Sequence, residues 1–265
     1  FQALGPRLTP STACAAGTQS IGHATDYIRN GDADIVIAGG VEAILQDYTL
    51  AGFDAMRALA TGFEECPELA SKPFDANRSG FVFSEGCGIV ILESLRHAQQ
   101  RGARIYAEVL GHASSSDAYH VAALEAEGHG AGRAMKWALR NASLNPDSID
   151  HINAHGTGTP ANDVMETNAI KRIFGEHAYN LMISSSKSML GHALAGSGAI
   201  EAVIGALTIA KRVIPPTINL RTPDPECDLD YVPHTARETP NIQCMMSNSF
   251  GLGGQNASLV LGRLT

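Results

Sequence analysis

The chain has 265 residues, 44% hydrophobic and 17% charged, with a formal net charge of −8 and a pI near 5.6. That is globular composition with enough apolar material for one large domain or two smaller ones, and its acidity argues against nucleic acid as a general partner. No uninterrupted apolar run reaches the length of a bilayer crossing, so no membrane span is expected.

The opening, FQALGPRLTP, has no initiator Met. It shows neither the charged and apolar regions of a signal peptide nor the Arg/Ser-rich character of a transit peptide. Residues 20–29 carry Ile21, Ala24 and Ile28 at three- and four-residue steps, with Gly31 behind them, which predicts a helix. DIVIAGG at 34–40 predicts a buried strand. GIVILESL at 88–95 predicts another, leading into the charged helical stretch RHAQQRG, and IYAEVLG at 105–111 a third. A helix is predicted over 129–142, strands over 149–156 and 181–186, and a strongly apolar helix over 198–212. The end, QCMMSNSFGLGGQNASLVLGRL, reads as strand, glycine loop, strand. Strands separated by helices predict an α/β architecture, and the charged stretch 93–104 marks a seam between two parts.

Five cysteines lie at wide spacings, odd in number and without a CxxC pair, which fits neither a disulfide framework nor a zinc finger. A reducing compartment is the simplest reading. Most cysteines are buried structural thiols, but Cys14 in STACAAGTQSIG differs from the other four. It stands at the predicted start of a helix, where free N–H groups and the positive dipole end favour thiolate. Its small neighbours leave room for another molecule, and the tight entry resembles a nucleophile elbow whose backbone donors could form part of an oxyanion hole.

A nucleophilic cysteine needs an acid, base or electrostatic partner. Of ten histidines, His155 in NAHGTGTP and His192 in SKSMLGHALAGSG lie where glycine-rich loops leave strands, and Lys187 precedes His192 in the same loop. A lysine there would bias a nearby imidazole toward its neutral form. His151 and His155 fall four apart on strand-like sequence, without the Glu of a helical zinc motif, so no metal is assigned. The glycines of 191–198 and 251–254 do not follow the dinucleotide-binding pattern.

STACAAG, HGTGTPANDVMET, SSSKSMLGHALAGSGAIEA and SNSFGLGGQN, in this order, resemble the β-ketoacyl-[acyl-carrier-protein] synthases of dissociated fatty-acid synthesis, elongating type. The resemblance extends over KPFDANRSGFVFSEGCGIVILE and PPTINLRTPDPECDLDYVPH, and so over essentially the whole chain. It implies the thiolase fold: two similar halves, each a mixed five-stranded sheet with helices, usually in a homodimer. It also implies that most of the N-terminal half is missing, leaving its remainder at 1–103 and the C-terminal half at 104–265. A piece of that kind is expected to expose apolar faces.

The implied activity is acyl transfer to Cys14 followed by decarboxylative condensation with malonyl-acyl carrier protein. His155 and His192 would assist loss of CO2, and Lys187 would set their charge and orientation. Glu166 would hold Lys187. The backbone N–H groups of Cys14 and Leu252 would form an oxyanion hole in a gate loop carrying Phe250 and Leu252. Thr157 and Thr159 would bind the phosphopantetheine arm, Phe53 would line the acyl pocket, and Arg57 would meet the acidic carrier protein. No cofactor is implied beyond the carrier-borne substrates. Two departures stand out: Leu252 replaces a second phenylalanine, and Val121 and Ala122 occupy a stretch where a hydroxyl residue is common. A ketosynthase domain of a polyketide synthase is the alternative. A non-catalytic chain-length partner would lack the nucleophile, and a thiolase would show a second cysteine in the SFGLGG loop. The resemblance points to the cytoplasm, or to a mitochondrion or plastid in a eukaryote.

Overall fold

The computed structural model describes residues 2–264. In chain order the elements are α1 (Ala16–Arg29), β1 (Ile35–Glu42), α2 (Asp47–Ala55), β2 (Gly86–Glu93), α3 (Leu95–Gln100) and β3 (Glu108–Ser116). There follow α4 (His129–Asn141), β4 (His151–Asn153), α5 (Pro160–Phe174), β5 (Met182–Ser184), α6 (Lys187–Leu190) and α7 (Leu194–Lys211). The short strands β6 (Val213–Ile214) and β7 (Arg237–Glu238) precede the closing hairpin of β8 (Cys244–Gly251) and β9 (Gln255–Gly262).

Five strands form a mixed sheet in the order β3-β9-β8-β4-β5. β4 runs parallel to both β5 and β8, whereas β3, β9 and β8 are antiparallel neighbours. β8 and β9 are buried along nearly their whole length, because helices cover both faces of their sheet. Successive side chains of β8 feed separate cores: Met246 packs with Ile152, Ile183 and Met135, and Met245 with Ile21, Ile209 and Leu259. Among the described residues, the earlier part of the chain supplies only β1 and β2, an antiparallel pair, so one of the two five-stranded sheets implied by the resemblance is present in full.

α7 is the central layer. It touches α1, β1 and β2 on one side and β8 and β9 on the other. By length and composition it could cross a membrane, but half of it is buried inside the fold. Two glycines allow the close approach. A Cβ on Gly17 of α1 would lie 2.7 Å from the Ala195 carbonyl oxygen, and one on Gly88 of β2 would lie 2.4 Å from the backbone of Ala199. The opposite face of the β1–β2 pair is apolar and open, with Ile35, Ile37, Val41, Ile89 and Ile91 all exposed.

Sequence and structure differ at several boundaries. The third strand begins at Glu108, three residues later than IYAEVLG suggests, and β4 keeps only three residues of 149–156. The apolar helix starts at Leu194, and α2 and α5 were not anticipated.

Candidate active site

Cys14 lies in a single 3₁₀ turn, Ala13–Ala15, that leads into α1. The turn starts with a left-handed backbone at Ala13 (φ 49°), a conformation that non-glycine residues adopt at a cost. It rests on the end of β8, where a Cβ on Gly251 would meet the Cys14 nitrogen at 3.0 Å. The Cys14 side chain is buried, and its Sγ lies 3.1 Å from His192 Nε2. Burial pushes the thiol up to about 11, against the opposing pull of Lys187 and of the N–H groups of Leu252 and Cys14 itself. Burial thus works against the helix-start argument for a lowered thiol pKa, and here desolvation outweighs the donors.

His192 is fixed from several sides. Its N–H donates to the Val82 carbonyl at 2.7 Å, its carbonyl accepts from Ser84 N–H at 3.1 Å, and its Nδ1 lies 2.9 Å from Ser197 Oγ. His155 leaves the end of β4. Its N–H donates to Glu166 Oε1 at 2.9 Å, and the Gly156 N–H donates to Oε2 at 2.8 Å. The two imidazole rings stand edge to face with centroids 5.3 Å apart, and His155 meets the Phe250 ring at 5.7 Å. The metal-binding-type atoms of Cys14, His155 and His192 all lie within 4.8 Å of one another. Burial, with the Lys187 charge second, holds both histidines well below the ordinary imidazole range, so both are neutral at physiological pH.

Lys187 begins α6 and is only 2% exposed. Its ammonium pairs with Glu201 of α7, not with Glu166. This corrects the implied role of Glu166, which clamps the His155–Gly156 backbone and accepts from Asn248 Nδ2 at 3.3 Å. Burial pushes the Glu166 carboxyl up to about 7. The signal for Glu201 was in the sequence: it is the single acid inside the apolar stretch GAIEAVIGAL. A buried carboxylate there requires a cation.

The other expected residues fall in graded positions. Thr157 and Thr159 sit together, hydroxyl to hydroxyl at 2.9 Å, and Thr159 caps α5 by accepting from Asn162 N–H. Phe53 reaches the site only through a cluster: its ring meets Phe81 at 5.6 Å and Phe83 at 5.1 Å, and Phe81 meets His192 at 5.3 Å. Phe81 and Phe83 were missed by the motif reading. Leu252 is half-buried in the turn between β8 and β9, and its backbone N–H faces Cys14 Sγ. That turn is tied to the 117–121 segment, since Gly253 N–H donates to the Val121 carbonyl at 3.0 Å and Asp117 N–H to that of Gly254 at 2.9 Å. Arg57 is exposed just beyond α2.

A buried thiol, two neutral imidazoles, a paired cation and two convergent backbone donors form a constellation for acyl transfer through a covalent thioester and for stabilising an enolate. Comparison with known proteins agrees. Sequence profiles described as the β-ketoacyl synthase N-terminal domain and C-terminal domain match residues 1–98 and 106–221. The chain is 52% identical over 257 residues to the 3-oxoacyl-[acyl-carrier-protein] synthase 2 of Synechocystis sp., covering 97% of this chain and 61% of the relative. It is 50% identical over 264 residues to the enzyme of the same name from Coxiella burnetii, covering 63% of that relative. The chain therefore spans about three fifths of the length of these relatives. Among solved structures, a type II polyketide ketosynthase in complex with its acyl-carrier protein superposes with a TM-score of 0.94 at 45% identity, covering 97% of this chain and 62% of that one. A β-ketoacyl synthase from Burkholderia phymatum superposes with a TM-score of 0.90 at 40% identity, covering 96% and 61%.

Proposed function

Because the chain belongs to the β-ketoacyl synthase family, we propose that the protein elongates acyl chains in fatty-acid synthesis, condensing an acyl-cysteine with malonyl-acyl carrier protein to give a 3-oxoacyl-acyl carrier protein. The observation that carries this reading is the contact of Cys14 Sγ with His192 Nε2 at 3.1 Å, beside the ring of His155.

In the first half-reaction Cys14 Sγ attacks the thioester carbonyl of an acyl carrier. The thiol proton passes to the departing carrier sulfur with His192 as relay. The negative oxygen of the tetrahedral intermediate lies where the N–H groups of Cys14 and Leu252 converge. The carrier leaves as a thiol, and Cys14 keeps the acyl group.

In the second half-reaction the bond from the malonyl α-carbon to its carboxylate breaks. CO2 leaves, and the electron pair remains as an enolate of the thioester. Neutral imidazole N–H groups of His155 and His192 stabilise the enolate oxygen as its charge develops. Ser197 Oγ, 2.9 Å from His192 Nδ1, serves both half-reactions: it accepts from Nδ1–H while Nε2 takes the thiol proton in the first, and donates to Nδ1 while Nε2 carries the proton in the second. The α-carbon then attacks the acyl-cysteine carbonyl. The new C–C bond forms, the C–S bond breaks, and Sγ leaves as a thiolate that takes up one proton from solvent.

Burial, helped by the Lys187 charge, keeps both histidines uncharged at rest, and Glu201 balances that lysine. On the same reading Thr157 and Thr159 receive the amides of the phosphopantetheine arm, the Phe53–Phe81–Phe83 cluster lines the acyl channel, and the exposed Arg57 meets the acidic carrier. A homodimer belongs to the same reading, supported by the resemblance.

The test uses the complete reading frame. Incubation with an acyl-carrier thioester is expected to add the acyl mass to the Cys14 peptide. Malonyl carrier should then release CO2 and give a product two carbons longer. Absence of the Cys14 adduct would sink the proposal, and repeated unreduced extension would favour the polyketide alternative.

A further inference from the structure

The loop between β4 and α5 is held by two carboxylates one helical turn apart on α5, and they hold different parts of it. Glu166 accepts from the N–H groups of His155 and Gly156. Asp163 accepts from Gly158 N–H at 3.2 Å and from Asn162 Nδ2 at 3.1 Å, and its other oxygen accepts from Phe74 N–H at 2.9 Å. Glu166 thus fixes the histidine end of the loop, and Asp163 fixes the end that bears Thr157 and Thr159.

Asp163 is fully buried, and a buried carboxylate stays charged only beside a cation. Arg78 supplies that cation from outside the site, with Nε 3.2 Å from Asp163 Oδ2 and a side chain only 3% exposed. The same guanidinium donates to the Pro160 carbonyl at 3.2 Å, to the Asp75 carbonyl at 2.8 Å and to Asp224 Oδ2 at 2.5 Å. It therefore joins three segments: the 72–80 loop, the start of α5 and the 221–226 stretch. Phe74, in the first of these, holds a left-handed backbone (φ 65°) while fully buried, a strained position that its N–H bond to Asp163 helps to maintain.

We propose that Arg78 is a positioning residue for substrate binding: through Asp163 it sets the Thr157–Thr159 segment that receives the thioester arm of the carrier. It touches neither Cys14 nor the histidines. Because Glu166 holds His155 independently, loss of Arg78 acts on arm binding before it acts on chemistry. The proposal rests on the reading that the thioester arm lies on Thr157 and Thr159.

Arg78→Gln and Arg78→Lys, made in the complete reading frame, test it. For Arg78→Gln the KM for the acyl-carrier thioester is expected to rise about tenfold with kcat within about threefold. The rate of Cys14 alkylation by iodoacetamide, which needs no pantetheine arm, should stay within about twofold of native. Arg78→Lys keeps the charge but loses the fork, so its KM should fall between the two. Arg78→Gln/Asp163→Asn removes the stranded carboxylate and should recover part of the loss. An unchanged KM in a folded Arg78→Gln protein overturns the proposal. So does a parallel fall of kcat and alkylation with no recovery in the double variant, which would mark Arg78 as structural only. If Arg78→Gln does not fold, Arg78→Lys decides the matter, and a native KM there counts against it. Failure of the native protein to acylate Cys14 would instead refute the proposed function.

Discussion

Lys187 and Glu201 are each 2% exposed, and each is the other's counter-charge. Removing one strands the other in low dielectric. Lys187→Met is therefore expected to lose about 3–5 kcal/mol of stability, and Lys187→Met/Glu201→Gln to regain most of it, as read from urea midpoints. A single variant as stable as native would show that the charge of Glu201 is relieved elsewhere. Function should divide differently. His155 does not contact Cys14 as closely as His192 does, and on the proposed mechanism its N–H serves the enolate. His155→Ala should leave acylation of Cys14 within a few-fold of native while lowering CO2 release from malonyl carrier by about 10²–10³. Equal loss of both steps would assign His155 to acyl transfer instead. The exchange of Glu166 for Glu201 as the lysine's partner shows where sequence stops. Motif order brings Cys14, His155, His192 and Lys187 to one place, but which of two buried carboxylates faces the ammonium depends on how α5 and α7 are rotated against the loops. The direction of the Cys14 shift was invisible for a similar reason, since burial is a property of the packed fold.

At the scale of elements, β4 and the loop that leaves it take two histidines to opposite fates. His155 leaves the strand for the site. His151 points into the core, with Nε2 3.1 Å from Ser184 Oγ. Burial lowers the His151 imidazole from its ordinary value of 6.5 to about 3. Unfolded, His151 takes up a proton as the pH falls through 6.5, whereas folded it does so only near 3. The stability linked to its neutral form is therefore intact above pH 6.5 and lost on acidification, at about 1.4 kcal/mol per pH unit. Between pH 7 and pH 5, native protein should lose about 2 kcal/mol more than His151→Asn in denaturant titrations. Opposing contributions from Glu166 and Glu201, whose carboxyls are raised, are common to both proteins and cancel in the difference. Parallel pH curves would mean that His151 is solvated. The elements were legible in proportion to their periodicity. α1, β1, α4, α7 and the final hairpin announce themselves by apolar spacing. α5 is harder to read, because its first two turns, PANDVMET, spend polar residues on capping and on holding the site loop, so Asp163, Glu166 and Thr167 are buried beside the apolar stripe of Met165, Ala169, Ile170 and Phe174. β4 was read too long because the residues after Asn153 are also buried and small, although they form the loop of the site.

For the molecule as a whole, the informative surface is the open face of the β1–β2 pair. Strand alternation sends Ala38 and Val90 toward α7 and sends Ile35, Ile37, Val41, Ile89 and Ile91 outward, where they are 44–64% exposed. Ile37 lies directly opposite Ile91 in the register, Ile89 opposite Gly39 and Val41 opposite Cys87, so the apolar side chains form one contiguous stripe. Patches of this kind mark surfaces that associate or aggregate. The 265-residue chain, expressed as such, is therefore expected to bind a hydrophobic dye and to scatter light as its concentration rises. Ile37→Thr/Ile91→Thr should weaken both effects. Threonine keeps the β-branched shape that suits a strand, and the inward face against α7 is untouched, so far-UV circular dichroism should not change. Dye binding as strong in the double variant as in the parent would locate the sticky surface elsewhere. The site argues for the same division of labour. Cys14, His155, His192 and Lys187 all stand on elements that pack around α7 or on the five-stranded sheet, so their geometry depends on the covered side of β1 and β2. The double variant should therefore keep the native rate of Cys14 alkylation while it loses the tendency to self-associate.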